Sequence, residues 1–224
     1  MTARILLPAL VATMFATAPA PLPAHPHIFI DTDFELILDA EGQARAVRIA
    51  WAYDAFYSLL LIEENGLDRD RDGVPEPERL ADYAGQDVDW EAGFPGDFVI
   101  AADGAAVDLA RPVDHAARFE DGRIVTSHTR PLITPIDVSA HRVTAQSYDP
   151  SYFVAYDVPA APQVSGMPGC SFAREPADHA EAQAEYGDKL AAIDAGEDPF
   201  EEIDLPDIGV MFADTFILSC NASS

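Results

Sequence analysis

Basic residues are scarce in this chain of 224 residues: Lys and Arg together number 13 against 39 Asp and Glu, and the formal net charge is −26. Only one of the 13 is a lysine, Lys189. A surface with this charge repels nucleic acid and anionic lipid, and it concentrates cations nearby. The composition therefore argues against a nucleic-acid partner. Its acidic excess fits either cation handling or simple solubility.

Long apolar segments are also missing. The apolar core of the N-terminal segment, residues 5–16, is too short to span a bilayer. It follows the basic Arg4 and precedes a run of small residues and prolines that ends at Ala24. These are the three parts of a secretory signal. We predict a cleavable signal peptide over residues 1–24, with an uncleaved anchor as the alternative, and no membrane-spanning segment after it.

Cysteine is nearly absent, since the chain has only Cys170 and Cys220. An even number of cysteines in an exported protein favours a disulfide. In the chain-entropy model, closing a loop of about 50 residues contributes on the order of 4 kcal/mol. The alternative, a metal site with two cysteine ligands, is disfavoured because the thiols are far apart in sequence and no CxxC is present.

Most of the mature chain has the period of β-strands. Apolar residues tend to alternate over residues 28–38 and again over 46–53, which predicts a hairpin with one buried face. Residues 98–159 contain several short alternating segments separated by turn residues, and they predict a meander of antiparallel strands. Residues 208–220 predict a last strand that brings Cys220 near Cys170.

Two segments change to the period of a helix. We predict a helix–loop–helix insertion over residues 54–84, which is EF-hand-like, and an acidic helix and loop over residues 175–207. The fold class that results is α+β: a single antiparallel, β-rich periplasmic domain over residues 25–224 that carries these two helical additions.

The loop of the first insertion has the spacing of a calcium-binding loop. Alternate carboxylates followed by a glycine, as in residues 68–73, converge on one hard cation. The ligands that this spacing predicts are Asp68, Asp70, Asp72, Val74, Glu76 and Glu78. The last position of the loop, which is a bidentate Glu in an EF-hand, is Arg79, so we expect weak calcium binding at best. The alternative is an acidic turn that binds no metal.

The predicted mature N-terminus is His25-Pro26-His27. A free α-amine and the imidazole of His25 would chelate one cation, with His27 close by, and these nitrogen ligands favour Zn, Ni, Co or Cu. Alternatively, His27 combines with a distant His or Asp, or both histidines are ordinary terminal residues. No motif of hydrolysis, acyl transfer or phosphate binding is present, and we predict no enzymatic activity.

Several segments together resemble a known family, the bacterial periplasmic proteins grouped as domain-of-unknown-function family 1007. Its members are often labelled as periplasmic components of an uncharacterised ABC-type transport system. The resemblance covers nearly the whole mature chain. It implies a periplasmic location and an association with nickel/cobalt-type or other divalent-metal transporters. The segments that carry it are residues 25–31, 51–54, 57–60, 68–73, 147–153 and 209–214.

The sequence therefore leads to two main hypotheses, with a copper enzyme that uses the terminal amine and His25 as a minor third. In the first, the protein binds a divalent transition metal through His25 and His27 and assists a membrane metal transporter. In the second, it is a non-catalytic adaptor or structural module that partners a membrane transporter. Calcium would stabilise it at residues 68–73, which we call the acidic loop.

Overall fold

The structure is a computed structural model that describes residues 26–194 and 207–220. The predicted signal peptide, residues 1–24, and His25 lie outside the described residues, as do residues 195–206 of the acidic stretch. The described chain forms eleven strands, three α-helices and one 3₁₀ helix. In chain order these are β1 (Ile28–Leu38), β2 (Gln43–Tyr53), α1 (Ala55–Asn65), α2 (Pro77–Tyr83), β3 (Phe98–Ala102), β4 (Ala105–Ala106), β5 (Val113–Glu120), β6 (Arg123–Asp137), β7 (Val143–Ser147), β8 (Val154–Asp157), β9 (Gln163–Ser165), β10 (Cys170–Glu175), α3 (His179–Asp194), η1 (Gly209–Phe212) and β11 (Thr215–Cys220).

The strands form two sheets, and the β-rich α+β class is confirmed. The first sheet has the order β5-β6-β2-β1-β8, with β9 also on β1, and the second has the order β10-β11-β7-β3-β4. The predicted hairpin is present, because β1 pairs antiparallel with β2 and Phe34 lies opposite Ile49. The prediction of antiparallel strands throughout is wrong in one respect, since β8 and β9 both pair parallel with β1.

The predicted meander over residues 98–159 is divided between the sheets: β3, β4 and β7 belong to the second, while β5, β6 and β8 belong to the first. A parallel pair needs a long crossover, and here the chain passes through the second sheet before it returns to β1. Local turn signals do not encode such a crossover.

The core lies between the two sheets. Along β1 the even-numbered residues from Ile30 to Leu38 are buried, as the alternation predicts. The ring of Phe34 packs edge-on against Phe98, Phe172 and Phe216, which lie on three strands of the second sheet, at centroid distances of 5.0, 5.3 and 5.4 Å. Such aromatic contacts add to the burial energy and hold the sheets together.

Two helices, α1 and α2, lie within residues 54–84, where the sequence predicts a helix–loop–helix. The Asp54 carboxylate accepts the Tyr57 N–H and caps α1, and Gly66 ends the helix in the left-handed conformation. Leu61 of α1 and Leu80 of α2 are buried in the main core. The acidic loop therefore connects two helices that are anchored in the core. Within the part of the chain that the structure describes, no helix is both long and apolar enough to cross a membrane.

The predicted disulfide is confirmed. Cys170 lies opposite Cys220 in the antiparallel β10–β11 ladder, and the two form a disulfide with a Cα–Cα distance of 4.0 Å. The bond leaves neither thiol available for the alternative metal site. It closes the part of the chain that contains α3 and η1.

Candidate functional site

Four of the segments that carry the family resemblance, residues 25–31, 51–54, 147–153 and 209–214, contact one another at one end of the fold. The His27 N–H donates to the Phe153 carbonyl (2.9 Å), and the two rings contact each other with centroids 4.6 Å apart. Asp54 accepts the Phe29 N–H through its carboxylate (3.1 Å), and its own N–H donates to the Phe29 carbonyl. The start of β1 is therefore fixed on both sides, and His27 is held there.

A turn at Asp149 organises the segment of residues 147–153. Its carboxylate accepts the N–H groups of Ser151, Phe153 and Val154 at 2.9–3.0 Å. The turn forces Tyr152 to a φ of 58°, which is unfavourable for a side chain of this size.

The phenol ring of Tyr152 stacks on Phe212 of η1, with centroids 3.9 Å apart. The backbone N–H groups of Ile208 and Gly209 donate to the Pro150 carbonyl, which fixes η1 against the turn. An added Cβ at Gly209 would lie 1.8 Å from the Asp149 carbonyl oxygen, so only glycine fits at this position.

These elements enclose a cavity of about 350 Å³, which we call the aromatic pocket. It draws its walls from β1, β7, β8, β11, η1 and the start of α3. The lining residues are Phe29, Ile30, Asp31, Ser147, Tyr152, Ala155, Tyr156, Asp157, Val158, His179, Phe212, Asp214 and Phe216. The size is that of a small-molecule site, and most of the wall is apolar or aromatic.

A buried acid lies behind the aromatic pocket. The Tyr156 hydroxyl donates to the Asp97 carboxylate (2.8 Å), and Asp97 is only 8% exposed. Burial raises the pKa of Asp97 to about 7, and the nearby Asp149 carboxylate adds to the rise. Sequence reasoning missed this pair, because Asp97 lies in a turn-like stretch that reads as surface loop.

The acidic loop brings together the three aspartates that its spacing predicts. Oxygen atoms of Asp68, Asp70 and Asp72 lie within 4.8 Å of one another, and this is the one group of three or more potential metal ligands found in residues 26–194 and 207–220. The loop's own backbone holds them: Asp68 accepts the N–H groups of Asp72 and Gly73, at 3.2 and 2.9 Å.

The other predicted ligands of the loop have different partners. The Glu76 carboxylate accepts the Arg69 N–H (3.0 Å), and this bond lowers its pKa. Arg79, at the last loop position, donates to the Gly66 carbonyl (3.0 Å) and approaches Glu76 at 3.6 Å. Val74 is exposed, and Glu78 lies in the first turn of α2. Arg79 therefore ties the two ends of the loop where a calcium loop has a carboxylate.

A cluster of rings around His128 is a further polar feature that the sequence did not predict. His128 is 2% exposed, and its ring centroid lies 4.8 Å from Trp51, 5.0 Å from Trp90 and 6.1 Å from His115. Burial lowers the pKa of His128 to about 3, so the imidazole is neutral. His128 lies on β6, where residues 124–126 and 128–130 are all buried, and no alternation in this sequence marks it as a core residue.

His128 and His27 belong to different places in the fold. His128 lies opposite Ile49, which lies opposite Phe34, and Phe34 is seven residues from His27. At about 3.3 Å per residue the separation along the strand is roughly 23 Å. His128 therefore does not complete a site with His27.

The other histidines also have settings of their own. His141 pairs with Asp103 (2.7 Å) beside the second sheet, and His115 lines a separate cavity of about 570 Å³ between residues 85–91 and 111–115. His179 lines the aromatic pocket, 6.0 Å from Phe212 between ring centroids.

The fold and these sites define a β-rich α+β domain of two sheets, closed by a disulfide, with an acidic loop on a helical insertion and an aromatic pocket at one end. The family model described as "Protein of unknown function (DUF1007)" matches residues 10–220. The chain belongs to this family. No curated protein matches the sequence.

Proposed function

We propose that this protein is an exported, periplasmic accessory protein that binds a divalent transition metal and works beside a membrane transporter for such metals. One observation supports this most directly: His27 is anchored by the Phe153 carbonyl and ring at the very start of β1. A ligand on a fixed element binds a metal more tightly than one on a loose tail, because less conformational entropy is lost.

The donor set of the proposed site consists of nitrogen atoms. After cleavage behind Ala24, the α-amine and imidazole of His25 and the imidazole of His27 are the ligands. These ligand types select Zn, Ni, Co or Cu rather than Ca or Mg. The Cys170–Cys220 disulfide supports an oxidising compartment such as the periplasm, since disulfides are rare in the cytosol. The net charge of −26 supports attraction of cations to the surface.

The test is a titration of the mature protein exported by a bacterial host. Intact mass establishes the N-terminus, and the chelator-stripped sample is titrated with Zn²⁺, Ni²⁺, Co²⁺ and Cu²⁺ by calorimetry. We expect a mass that begins at His25 and one site that is lost in the His25→Ala/His27→Ala double variant. His141→Ala is the matched control, because His141 is exposed and pairs with Asp103 instead.

Two results contradict the proposal. A mature N-terminus at another residue removes the α-amine chelate. Equal metal affinity of the wild type and the His25/His27 double variant means that these histidines are not ligands. In cells, a transporter role further predicts that the double variant changes metal sensitivity and that His141→Ala does not.

A second function is favoured by the acidic loop: a calcium-stabilised adaptor or structural module that partners a membrane transporter and uses no metal at His25. The observation for it is the close approach of Asp68, Asp70 and Asp72 in the loop between α1 and α2. With Arg79 in the last position, the expected dissociation constant is in the range of extracellular modules, about 10⁻⁴ to 10⁻³ M.

Calcium titration followed by thermal unfolding distinguishes the second function. We expect millimolar Ca²⁺ to raise the Tm of the wild type, and Asp70→Asn/Asp72→Asn to abolish the rise. Asp188→Asn, an exposed acid on α3, is the matched control. A Tm that does not respond to Ca²⁺ leaves the loop as an acidic turn.

A further inference from the structure

The walls of the aromatic pocket consist largely of rings. Five aromatic side chains line it, from five different elements or turns: Phe29, Tyr152, Tyr156, Phe212 and Phe216. Two of them, Tyr152 and Phe212, are fixed by stacking on each other, and Phe216 is buried in the core. Ring faces carry partial negative charge and attract cations, most strongly where water is excluded.

Apart from the ionisable imidazole of His179, the charged groups that line the pocket are carboxylates. Carboxylates of Asp31, Asp157 and Asp214 line it, and the lining residues that the structure describes include no lysine or arginine. Behind the wall, Arg123 pairs with Asp31 (2.5 Å), while a single guanidinium, that of Arg174, serves both Asp157 and Asp214. The three carboxylates are thus matched by only two guanidinium groups. This set carries a net charge of −1.

One uncharged polar group adds to this pattern. Tyr156 lines the pocket, and its hydroxyl donates its hydrogen to Asp97 rather than to a ligand. A phenol oxygen in this state accepts hydrogen bonds. The pocket lining therefore offers carboxylates and aromatic rings, with the imidazole of His179 as its one basic side chain, and this acidic excess disfavours a carboxylate, phosphate or sulfate ligand.

We propose that the aromatic pocket binds a small organic ammonium ion. The cationic head would lie among the aromatic side chains that line the pocket, and its charge would offset the net −1 of the acidic groups and their arginine partners. A cavity of about 350 Å³ holds a ligand of the size of choline. This function is separate from transition-metal binding at the N-terminus, because the ligand is recognised by rings and carboxylates rather than by imidazole.

The test compares choline with 3,3-dimethylbutan-1-ol, which has the same shape with carbon in place of the charged nitrogen. Both are titrated into the mature, full-length protein in the presence of a chelator, and binding is followed by calorimetry and ligand-detected NMR. We expect choline and tetramethylammonium to bind and the neutral alcohol to bind at least about tenfold more weakly.

Two variants locate the site. Phe29→Ala removes one ring that is 54% exposed, and Asp157→Asn removes one exposed charge while keeping the oxygen that accepts the Val158 N–H. Each is expected to weaken choline binding by about tenfold. The matched controls are Phe56→Ala on α1 and Asp108→Asn before β5, which lie outside the pocket and are expected to leave binding unchanged.

Three results would overturn the proposal. The first is no choline binding up to about 10 mM, a concentration that detects even very weak sites. The second is equal binding of choline and the neutral alcohol, since then the charge is not recognised. The third is binding that Phe29→Ala and Asp157→Asn leave unchanged, since then the site is elsewhere. Because a chelator is present throughout, none of these results depends on whether His25 and His27 bind a metal.

Discussion

The acidic loop and the aromatic pocket both present several carboxylates, but they hold them in different ways. In the loop, Asp68 and its neighbours accept backbone N–H groups from within six residues. At the pocket, Asp31 and Asp214 meet arginines that are 92 and 40 residues away in sequence. The loop is thus a local structure, whereas the pocket exists only when both sheets and η1 are assembled.

This difference has an electrostatic counterpart. The backbone N–H of Arg69 lowers the pKa of Glu76 in the loop, whereas burial raises the pKa of Asp97 behind the pocket. Solvated carboxylates that accept hydrogen bonds favour their charged form, and desolvated ones favour the neutral form. Glu76 therefore favours its charged form, while Asp97 behind the pocket favours its neutral form.

The largest effect is expected from the disulfide, which closes the chain segment that carries η1. We predict that Cys170→Ser/Cys220→Ser lowers the free energy of unfolding by about 4 kcal/mol, because a crosslink spanning 50 residues restricts the unfolded chain. Urea denaturation measures this. Wild-type protein under reducing conditions is the control and should match the variant. A loss below about 1 kcal/mol would contradict the entropic account.

Substitutions at two glycines compare the long-range packing of the pocket end with the local structure of the acidic loop. Gly209→Ala places a Cβ 1.8 Å from the Asp149 carbonyl oxygen, so we expect it to cost about 3 kcal/mol as η1 and the turn are forced apart. Gly73→Ala meets no atom within 4 Å and suffers only from its φ of 90°, which costs about 1 kcal/mol. Denaturation curves of the two variants test the order. Equal losses would mean that the pocket end relaxes as easily as the loop.

The contrast between local and long-range structure also explains what the sequence could reveal. β1, the helices α1 and α2 and the grouping of three aspartates all follow from neighbours within a few residues, and the sequence predicts them. The pairing of Cys170 with Cys220 followed from there being only two cysteines.

The remaining features depend on distant partners. The parallel pairing of β8 with β1 depends on a crossover through the second sheet, and the approach of Gly209 to Asp149 depends on the pairing of β11 with the distant β7. β10 was missed as well, because its alternation extends over only six residues. Asp97 reads as a surface acid, and only the three-dimensional structure buries it.

Asp97 gives a pH dependence opposite in sign to that of an ordinary surface carboxylate. Its folded pKa, about 7, is above the unfolded value near 3.8, so the folded state retains a proton that the unfolded state loses. Stability from this group is therefore present at low pH and is lost as pH rises from about 4 to 7. We expect a loss of about 2 kcal/mol, because partial hydration of the site moderates the full shift.

The difference in free energy of unfolding between wild type and Asp97→Asn isolates the contribution of Asp97. His128 acts in the opposite direction, because its lowered pKa makes stability fall as pH drops from 6.5 toward 3, but that contribution is common to both proteins. Urea denaturation at pH 4.5, 6 and 8 measures the free energy of unfolding of both proteins. As pH rises, the wild type should lose stability relative to Asp97→Asn. A constant gap would show that Asp97 is already ionised in the folded protein.

The smallest change in stability is expected at Arg79, where the loop departs from a calcium site. Its contacts with Gly66 and Glu76 are at the surface, so Arg79→Glu should cost only about 0.5 kcal/mol without calcium. The new carboxylate stands at the twelfth loop position, where a bidentate ligand completes the coordination. We therefore expect calcium affinity to rise at least about tenfold by calorimetry. Arg79→Gln removes the positive charge without supplying a carboxylate, so a similar rise in that variant would show that charge, rather than coordination, limits binding.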